Sequence, residues 1–215
     1  MLKKVLVVVL ALLAIPLLAA LFVKQDYKVE TQVVIQQPVT VVFDYIRFLT
    51  NQDNFSVWAA QDPNMQKTDR GVDGTVGFVS GWHSENSDVG TGEQEIKAIV
   101  EGSRIDYELR FYQPYAAVSP AYMQTEAVSA EQTRVTWGFA GHMPYPMNLM
   151  LLFMDVEAMI AADLQQGLEN LKLILETPAA DPAEMPVLNT PVTSKAGSRP
   201  APAYQSPGMD KHHRT

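Results

Sequence analysis

Five consecutive stretches between residues 75 and 143 alternate apolar and polar side chains, and short turns separate them. A period of two places successive side chains on opposite faces of a strand, so each stretch predicts a β-strand. Strands joined by tight turns pair in antiparallel order. The predicted strands cover residues 75–83, 89–100, 104–112, 117–128 and 132–143. This series predicts an antiparallel meander and restricts the chain to a fold built around a sheet.

Helical patterns stand on both sides of the series. A further strand is predicted over residues 29–35, and Pro38 then opens a short helix. At the other end, residues 147–176 predict one long helix with an apolar stripe from Leu149 to Leu175. Strands with helices segregated to one side form an α+β domain. We therefore expect the long helix to cover one face of the sheet.

The N-terminal segment contains a run of 19 apolar residues, 5–23, without a charged side chain. A helix rises about 1.5 Å per residue, so the run would span about 28 Å, close to the hydrocarbon core of a bilayer. A secretory signal peptide is the competing interpretation, but its apolar region is usually shorter. The run predicts an uncleaved membrane anchor within residues 1–26.

The charges around the run predict its orientation. Lys3 and Lys4 precede it, whereas Asp26 and Glu30 dilute the basic residues that follow it. Positive flanks stay on the cytoplasmic side, so we expect the N-terminus inside and the domain outside. In a bacterium, this single-pass arrangement would place the domain in the periplasm or outside the cell.

The rest of the chain divides into a folded domain, residues 27–177, and a tail, residues 178–215. The tail is rich in Pro, Ala, Ser and Thr and has no apolar periodicity, which predicts disorder. The domain has 9 basic and 20 acidic side chains, a net charge of −11. This charge argues against a nucleic-acid partner, because phosphate binding needs a surplus of Lys and Arg. The absence of cysteine excludes disulfides and thiolate metal sites.

Four stretches of the domain carry a family resemblance. They read GTGEQEIKAI (90–99), RIDYELRF (104–111), TRVTWGFAG (133–141) and PYPMNLMLLFMD (144–155). These stretches are similar to bacterial members of the START-like (SRPBCC) superfamily of polyketide cyclases/dehydrases and lipid-transport proteins. The resemblance covers residues 27–176 and implies an α+β helix-grip fold, here preceded by a transmembrane helix. It also implies an apolar cavity for a lipid, a quinone or a polyketide-like molecule, without fixing an activity.

Strand alternation predicts which side chains line such a cavity. The predicted lining is Phe78, Trp82, Tyr107, Leu109, Phe111, Tyr122, Trp137 and Phe139, with Met150, Phe153 and Met154 from the start of the long helix. Alternation places Val76 on the same face. A lining of aromatic rings with a few hydroxyl and indole N–H groups suits a hydrophobic ligand. The competing interpretation is that these side chains simply fill the core.

The stretch that opens the long helix is rich in methionine and apolar nearly all round. A helix with one buried face does not need this pattern. Either a second face of the helix is buried, or the stretch lies at the mouth of a cavity near the membrane. Methionine suits such a mouth, because its flexible side chain adapts to different ligands.

Catalytic motifs are nearly absent from the sequence. No His or carboxylate spacing predicts a metal site, and no nucleophile elbow, phosphate loop or dinucleotide fingerprint occurs, so no cofactor is expected. Tyr107, Tyr122 and His83 are the first candidates if the cavity catalyses ring closure. Three hypotheses remain open: a binding domain for a hydrophobic molecule, a cyclase- or hydrolase-type enzyme, and an interaction module with a vestigial cavity and an unknown protein partner.

Overall fold

The computed structural model describes residues 2–177, apart from the side chains of residues 2, 7–9, 11 and 13. Its helices are α1 (Leu2–Ala20), α2 (Val39–Arg47), α3 (Val57–Gln61) and α4 (Val156–Glu176), with 3-10 helices at Leu49–Asn54 and Met147–Leu152. Its strands are β1 (Asp26–Ile35), β2 (Gln66–Arg70), β3 (Val79–His83), β4 (Thr91–Val100), β5 (Arg104–Gln113), β6 (Ala117–Ser129) and β7 (Gln132–His142). The tail predicted at 178–215 lies outside the described residues.

The seven strands form one sheet in the order β1-β7-β6-β5-β4-β3-β2, and every neighbouring pair is antiparallel. Strands β3 to β7 follow one another as the predicted meander. Strand β1 pairs with β7, so that Val29 stands opposite Phe139. The predicted α+β architecture, an antiparallel sheet with a C-terminal helix, is confirmed.

Helix α4 lies along one face of the sheet, which we call the inner face. Its residues Leu164, Leu168 and Leu171 are buried in the core. At its C-terminal end, Lys172 Nζ donates a hydrogen bond to the carbonyl oxygen of Val34, 2.6 Å away, near the end of β1. The first turn of α4 consequently lies near the start of β1, and the two elements run side by side.

The prediction of one helix over residues 147–176 is wrong at its beginning. The Met147–Leu152 segment is a separate 3-10 helix, and α4 begins only at Val156. Asp155 caps α4, because its Oδ1 accepts a hydrogen bond from the Ala158 amide at 3.0 Å. The apolar periodicity continues across this break, so the sequence pattern does not reveal it.

Near residues 66–83 one strand is missing from the prediction and another is predicted to begin too early. Strand β2 was not predicted, because all five of its side chains are exposed and no apolar alternation marks it. The strand predicted from residue 75 begins only at Val79. Val76, expected on the inner face, lies in the preceding turn and is 60% exposed.

Helix α1 occupies most of the predicted apolar run, and large apolar side chains such as Leu12, Ile15 and Leu18 are exposed on it. Among residues 2–177, with the six undescribed side chains within α1 set aside, no helix is both long enough and apolar enough to cross a membrane.

The end of α1 is attached to the domain by a buried side chain. Asn148 Nδ2 donates hydrogen bonds to the carbonyl oxygens of Ala20 at 2.8 Å and Val23 at 3.0 Å. The Ala20 carbonyl also accepts a hydrogen bond from the Val23 amide at 3.4 Å, so Asn148 adds a side-chain donor that ties the end of α1 and the turn after it to the domain.

Candidate functional site

A cavity of about 400 Å³ lies between the inner face of the sheet and the helices α3 and α4. Ligand pockets in proteins commonly measure about 300–1,000 Å³. The apolar part of the lining comes mainly from strands of the sheet and from α3 and α4, and includes Trp82, Leu109, Phe111, Trp137, Phe139, Ile160 and Leu164. The cavity is therefore large enough for a small hydrophobic molecule and is walled mainly by aromatic and aliphatic side chains.

Of the eleven side chains predicted to line a cavity, five do so. They are Trp82, Leu109, Phe111, Trp137 and Phe139. Phe78 and Tyr107 point to the inner face but lie in the filled core beyond the cavity, at 3% and 2% exposure.

The other four predicted side chains lie elsewhere. Tyr122 is on the outer face of β6, where its hydroxyl donates to Glu30 Oε1 at 2.5 Å and Arg104 stacks on its ring. Met150, Phe153 and Met154 are exposed in the segment before α4 and do not line the cavity. Their displacement follows from the break before α4, which ends the helical register on which their assignment depended.

A glycine that sequence reasoning missed makes room for the Trp137 wall. Gly167 lies in the middle of α4, where glycine is unfavourable by about 1 kcal/mol relative to alanine. A Cβ atom at Gly167 would lie 2.8 Å from Cζ3 of Trp137. The indole thus packs directly against the helix backbone, and it meets Phe55 edge-on with ring centroids 5.6 Å apart. A glycine inside an apolar helical stripe is the signal that could have found this contact.

Two polar side chains missed at the sequence level lie on the floor of the cavity. Gln94 on β4 and Ser119 on β6 both stand opposite Leu109 on β5, so all three share the inner face. Both line the cavity and are at least nine-tenths buried. Within the described part of the chain, neither side chain makes a hydrogen bond. Buried polar groups are normally satisfied, so the Gln94 amide and the Ser119 hydroxyl are available to a bound molecule.

The cavity reaches the end of the sheet where β1 and α4 begin. Its exposed lining residues there include Asp88, Gln113, Tyr115 and His142. His142 Nδ1 lies 2.7 Å from Asp26 Oδ1 on the paired strand. We call this region the cavity mouth.

On the α3 side, an ion pair borders the cavity. Lys67 Nζ on β2 and Asp53 Oδ1 are 2.7 Å apart, and both residues line the cavity. The strand that sequence reasoning missed therefore contributes to the site.

The three candidate catalytic residues do not line the cavity. The hydroxyl of Tyr107 is buried without a hydrogen-bond partner, and burial raises the pKa of Tyr107 far above its ordinary value. Burial and the hydrogen bond to Glu30 raise the pKa of Tyr122 on the outer face. His83 is exposed at the end of β3, with Nδ1 2.8 Å from Thr91 Oγ1. None of the three is placed to exchange a proton with a molecule in the cavity.

The paired carboxylates of β4 and β5 belong to a charge network on the outer face. Arg110 contacts Glu93, Glu95 and Glu108, and Arg70 contacts Glu93 at 2.8 Å. Burial alone would raise the pKa of Glu93, but the hydrogen bonds from Arg70 and Arg110 outweigh it and lower that pKa to about 2. These carboxylates therefore stabilise the sheet as charged groups. Within residues 2–177, no group of three His, Asp or Glu side chains is arranged to hold a metal ion.

The family is shown by comparison with known proteins. A family model described as polyketide cyclase/dehydrase and lipid transport matches residues 26–176, more than half of the chain. The chain belongs to this family. No curated protein matches the chain closely enough to count as a relative.

Solved structures similar to this family member have low sequence identity. The structure of Ara h 8.0201 is 14% identical with a TM-score of 0.50, and the match covers 70% of this chain and 97% of that chain. An uncharacterized protein from Bacillus thuringiensis is 11% identical with a TM-score of 0.50, and the match covers 69% of this chain and 98% of that chain. A protein from Nitrosospira multiformis is 18% identical with a TM-score of 0.48, and the match covers 70% of this chain and 97% of that chain. At these identities, the first two matches establish the helix-grip fold alone.

Proposed function

We propose that the domain binds a hydrophobic small molecule that carries at least one polar group, in the cavity between the sheet and α4. One observation carries the proposal. The cavity floor presents two unpaired polar side chains, Gln94 and Ser119, inside a lining that is otherwise largely aromatic and aliphatic. An amphipathic ligand fits both parts of the lining. Its apolar part contacts the aromatic and aliphatic side chains, and its polar group forms hydrogen bonds with Gln94 or Ser119.

The geometry of the floor narrows the ligand class. Neighbouring strands are about 4.8 Å apart, so Gln94 and Ser119, separated by β5, stand about 10 Å apart. Glutamine can donate and accept hydrogen bonds, and so can the serine hydroxyl, so a hydroxyl or carbonyl group on the ligand fits either position. A lipid, a quinone or a polyketide-like molecule has such groups on an apolar skeleton.

A second part of the proposal is that α1 anchors the domain to a membrane, with the N-terminus inside and the domain outside the cytoplasm. The uncharged apolar run of 19 residues, 5–23, supports it, as do the exposed apolar side chains of α1. An exposed apolar surface of this size is unfavourable in water. Reconstitution of the full chain into vesicles followed by alkaline extraction would test it, because an inserted helix stays with the lipid.

No reaction forms part of the proposal. Tyr107, Tyr122 and His83 all lie away from the cavity. The cavity volume also favours a binding domain over an interaction module with a vestigial cavity.

The binding proposal is tested with the purified full chain in detergent micelles. We expect organic extraction and mass spectrometry to release a hydrophobic compound, and a fluorescent long-chain fatty acid to titrate at one molecule per chain. Ala121 lines the cavity, so Ala121→Phe fills the space and abolishes the titration. Val118→Phe adds the same ring to the exposed outer face of the same strand, and its titration stays unchanged.

Two results would overturn the proposal. One is a titration equal in both variants, which would assign the probe to the surface or to α1. The other is a folded protein that neither releases a compound nor takes up the probe.

A further inference from the structure

The segment before α4 presents an apolar surface that the cavity does not use. Residues 143–154 carry no charged side chain. The exposed side chains of this segment, which we call the apolar patch, are Tyr145, Met147, Met150, Leu152, Phe153 and Met154. Phe153 is 85% exposed, which is extreme for a phenylalanine next to a well-packed helix. Contiguous exposed apolar side chains of this kind mark an interaction surface.

The patch is continuous with the end of α1. Asn148, at the centre of the segment, is fully buried and bonds the carbonyl oxygens of Ala20 and Val23. Lys24, four residues after the end of α1, forms a 2.8 Å ion pair with Glu157 at the start of α4. Leu21 and Phe22 are exposed in the same turn, Phe22 by 89%. The end of α1 and the patch therefore form one apolar surface, which the exposed Lys24–Glu157 ion pair borders.

We propose that the patch rests in the interfacial region of a lipid bilayer beside α1, as a second membrane contact of the domain. This inference rests on the proposed anchor. A bilayer is the occupant that fits, because the patch is continuous with an apolar helix and none of its six side chains is charged, while the neighbouring Lys24 and Glu157 are paired with each other. Aromatic and long apolar side chains are the ones that such an interface accepts.

The contact would also orient the cavity. The patch lies at the end of the sheet where β1 and α4 begin, and the exposed lining residues Gln113, Tyr115 and His142 are at this same end. A domain seated on the patch therefore holds the cavity mouth close to the membrane surface. A hydrophobic ligand then passes between bilayer and cavity with little exposure to water.

The absence of cysteine from the chain allows a direct test with single labels. The full chain is reconstituted in phosphatidylcholine vesicles with an environment-sensitive fluorophore on Phe153→Cys. Ile15→Cys in α1 reports the anchor, and Val128→Cys, exposed at the opposite end of the sheet, is the matched control. All three side chains are exposed, so the substitutions leave the core intact. Lipids brominated on the acyl chains then serve as the quencher.

We expect quenching and a blue-shifted emission at positions 15 and 153, and neither at position 128. A label at 153 that behaves like the label at 128, while position 15 is quenched, overturns the second contact and leaves the anchor standing. Absence of quenching at both positions 15 and 153 overturns the anchor as well as the second membrane contact. A blue shift at 153 without quenching, together with disulfide cross-linking of two unlabelled Phe153→Cys chains, assigns the patch to a second copy and also overturns the inference.

Discussion

The indole ring of Trp82 and the phenyl ring of Phe111 meet edge to face, with centroids 6.0 Å apart and planes at 75°. Gly92 stands opposite both residues in the register of the sheet. A Cβ atom at Gly92 would lie 2.6 Å from Cζ2 of Trp82 and 2.7 Å from the carbonyl oxygen of Arg110. The missing side chain thus lets the indole lie across β4 and form a wall of the cavity.

Gly92→Ala should destabilise the domain by about 1–3 kcal/mol, because an extra methyl group in a packed site forces ring and backbone to move. Urea unfolding followed by circular dichroism measures the change. Val100→Ala, at an exposed position on the same strand, serves as the control and should shift the midpoint little. An unchanged unfolding free energy for Gly92→Ala would show that the indole does not need this space.

Gln94→Leu removes a polar group from the cavity floor while keeping the side-chain size similar. A hydrogen bond contributes about 1 kcal/mol net, so affinity for a long-chain alcohol should fall roughly fivefold. Affinity for the alkane of the same length should stay equal or rise, because the new side chain is apolar. Competition against the fluorescent fatty acid measures both affinities, and equal losses for alcohol and alkane would contradict a polar role for Gln94.

The charge network on the outer face predicts a pH dependence of stability. The pKa of Glu93 falls from 4.5 to about 2 on folding, so its contribution is fully present above about pH 4.5 and is lost as the pH falls toward 2. Arg110→Gln should lower the free energy of unfolding at pH 7 by about 1–3 kcal/mol, since it removes charge-assisted hydrogen bonds. Between pH 4.5 and 2, the free energy of unfolding of Arg110→Gln should fall less than that of the unchanged protein, because Glu93 has lost one of the partners that lower its pKa.

The comparison for this prediction is Arg134→Gln. Arg134 pairs with Glu126 at a more exposed place, with side chains 39% and 62% exposed. Exposed ion pairs contribute about 0–1 kcal/mol, so this variant should resemble the unchanged protein at every pH. Urea unfolding at pH 7, 4 and 2.5 separates the two cases, and parallel curves for Arg110→Gln and the unchanged protein would refute the role of the network.

Asn148→Leu should loosen the attachment of α1 without unfolding the sheet. The substitution leaves the carbonyl oxygens of Ala20 and Val23 without their side-chain donor. Local opening of a helix end is reported by hydrogen exchange. Exchange of the Leu21, Phe22 and Val23 amides should accelerate, while amides of β4 keep their protection. Asn64→Leu, in the loop before β2, provides a control at an exposed position. Unchanged exchange after α1 would mean that other contacts hold the helix.

The inner faces of β5 and β7 could be assigned from the sequence because their alternation is clean. Tyr107 and Trp137, both predicted to face inward, are buried, and so are Ile105 and Val135 at alternate positions of the same strands. Strand β6 is different, since Val118 and Tyr122 on its outer face are as apolar as Ala121 and Met123 on its inner face. A period of two shows that successive side chains alternate between the two faces. It does not show which set faces inward when both sets are apolar. The pattern of β6 therefore does not show that Tyr122, predicted to line the cavity, lies on the outer face.

The free polar groups of the cavity floor required the structure for a related reason. Gln94 and Ser119 occupy inward positions of their strands, but a polar residue on a strand ordinarily indicates a solvent face. Only the register that sets both opposite Leu109 shows that they share a buried floor. Gly92 and Gly167 are similar, because a glycine becomes informative when the ring that crosses it is known.

The sequence by itself determined the antiparallel strands, the C-terminal helix and the helix-grip class of this domain, because those features follow from local periodicities and from a family resemblance. Tertiary structure alone decided where the terminal helix begins, which aromatic side chains enclose a cavity and which merely fill the core. It also decided that the apolar segment before α4 meets the end of α1 rather than the ligand site. These outcomes depend on contacts between residues far apart in the chain, such as Asn148 with Ala20, and no local pattern records them.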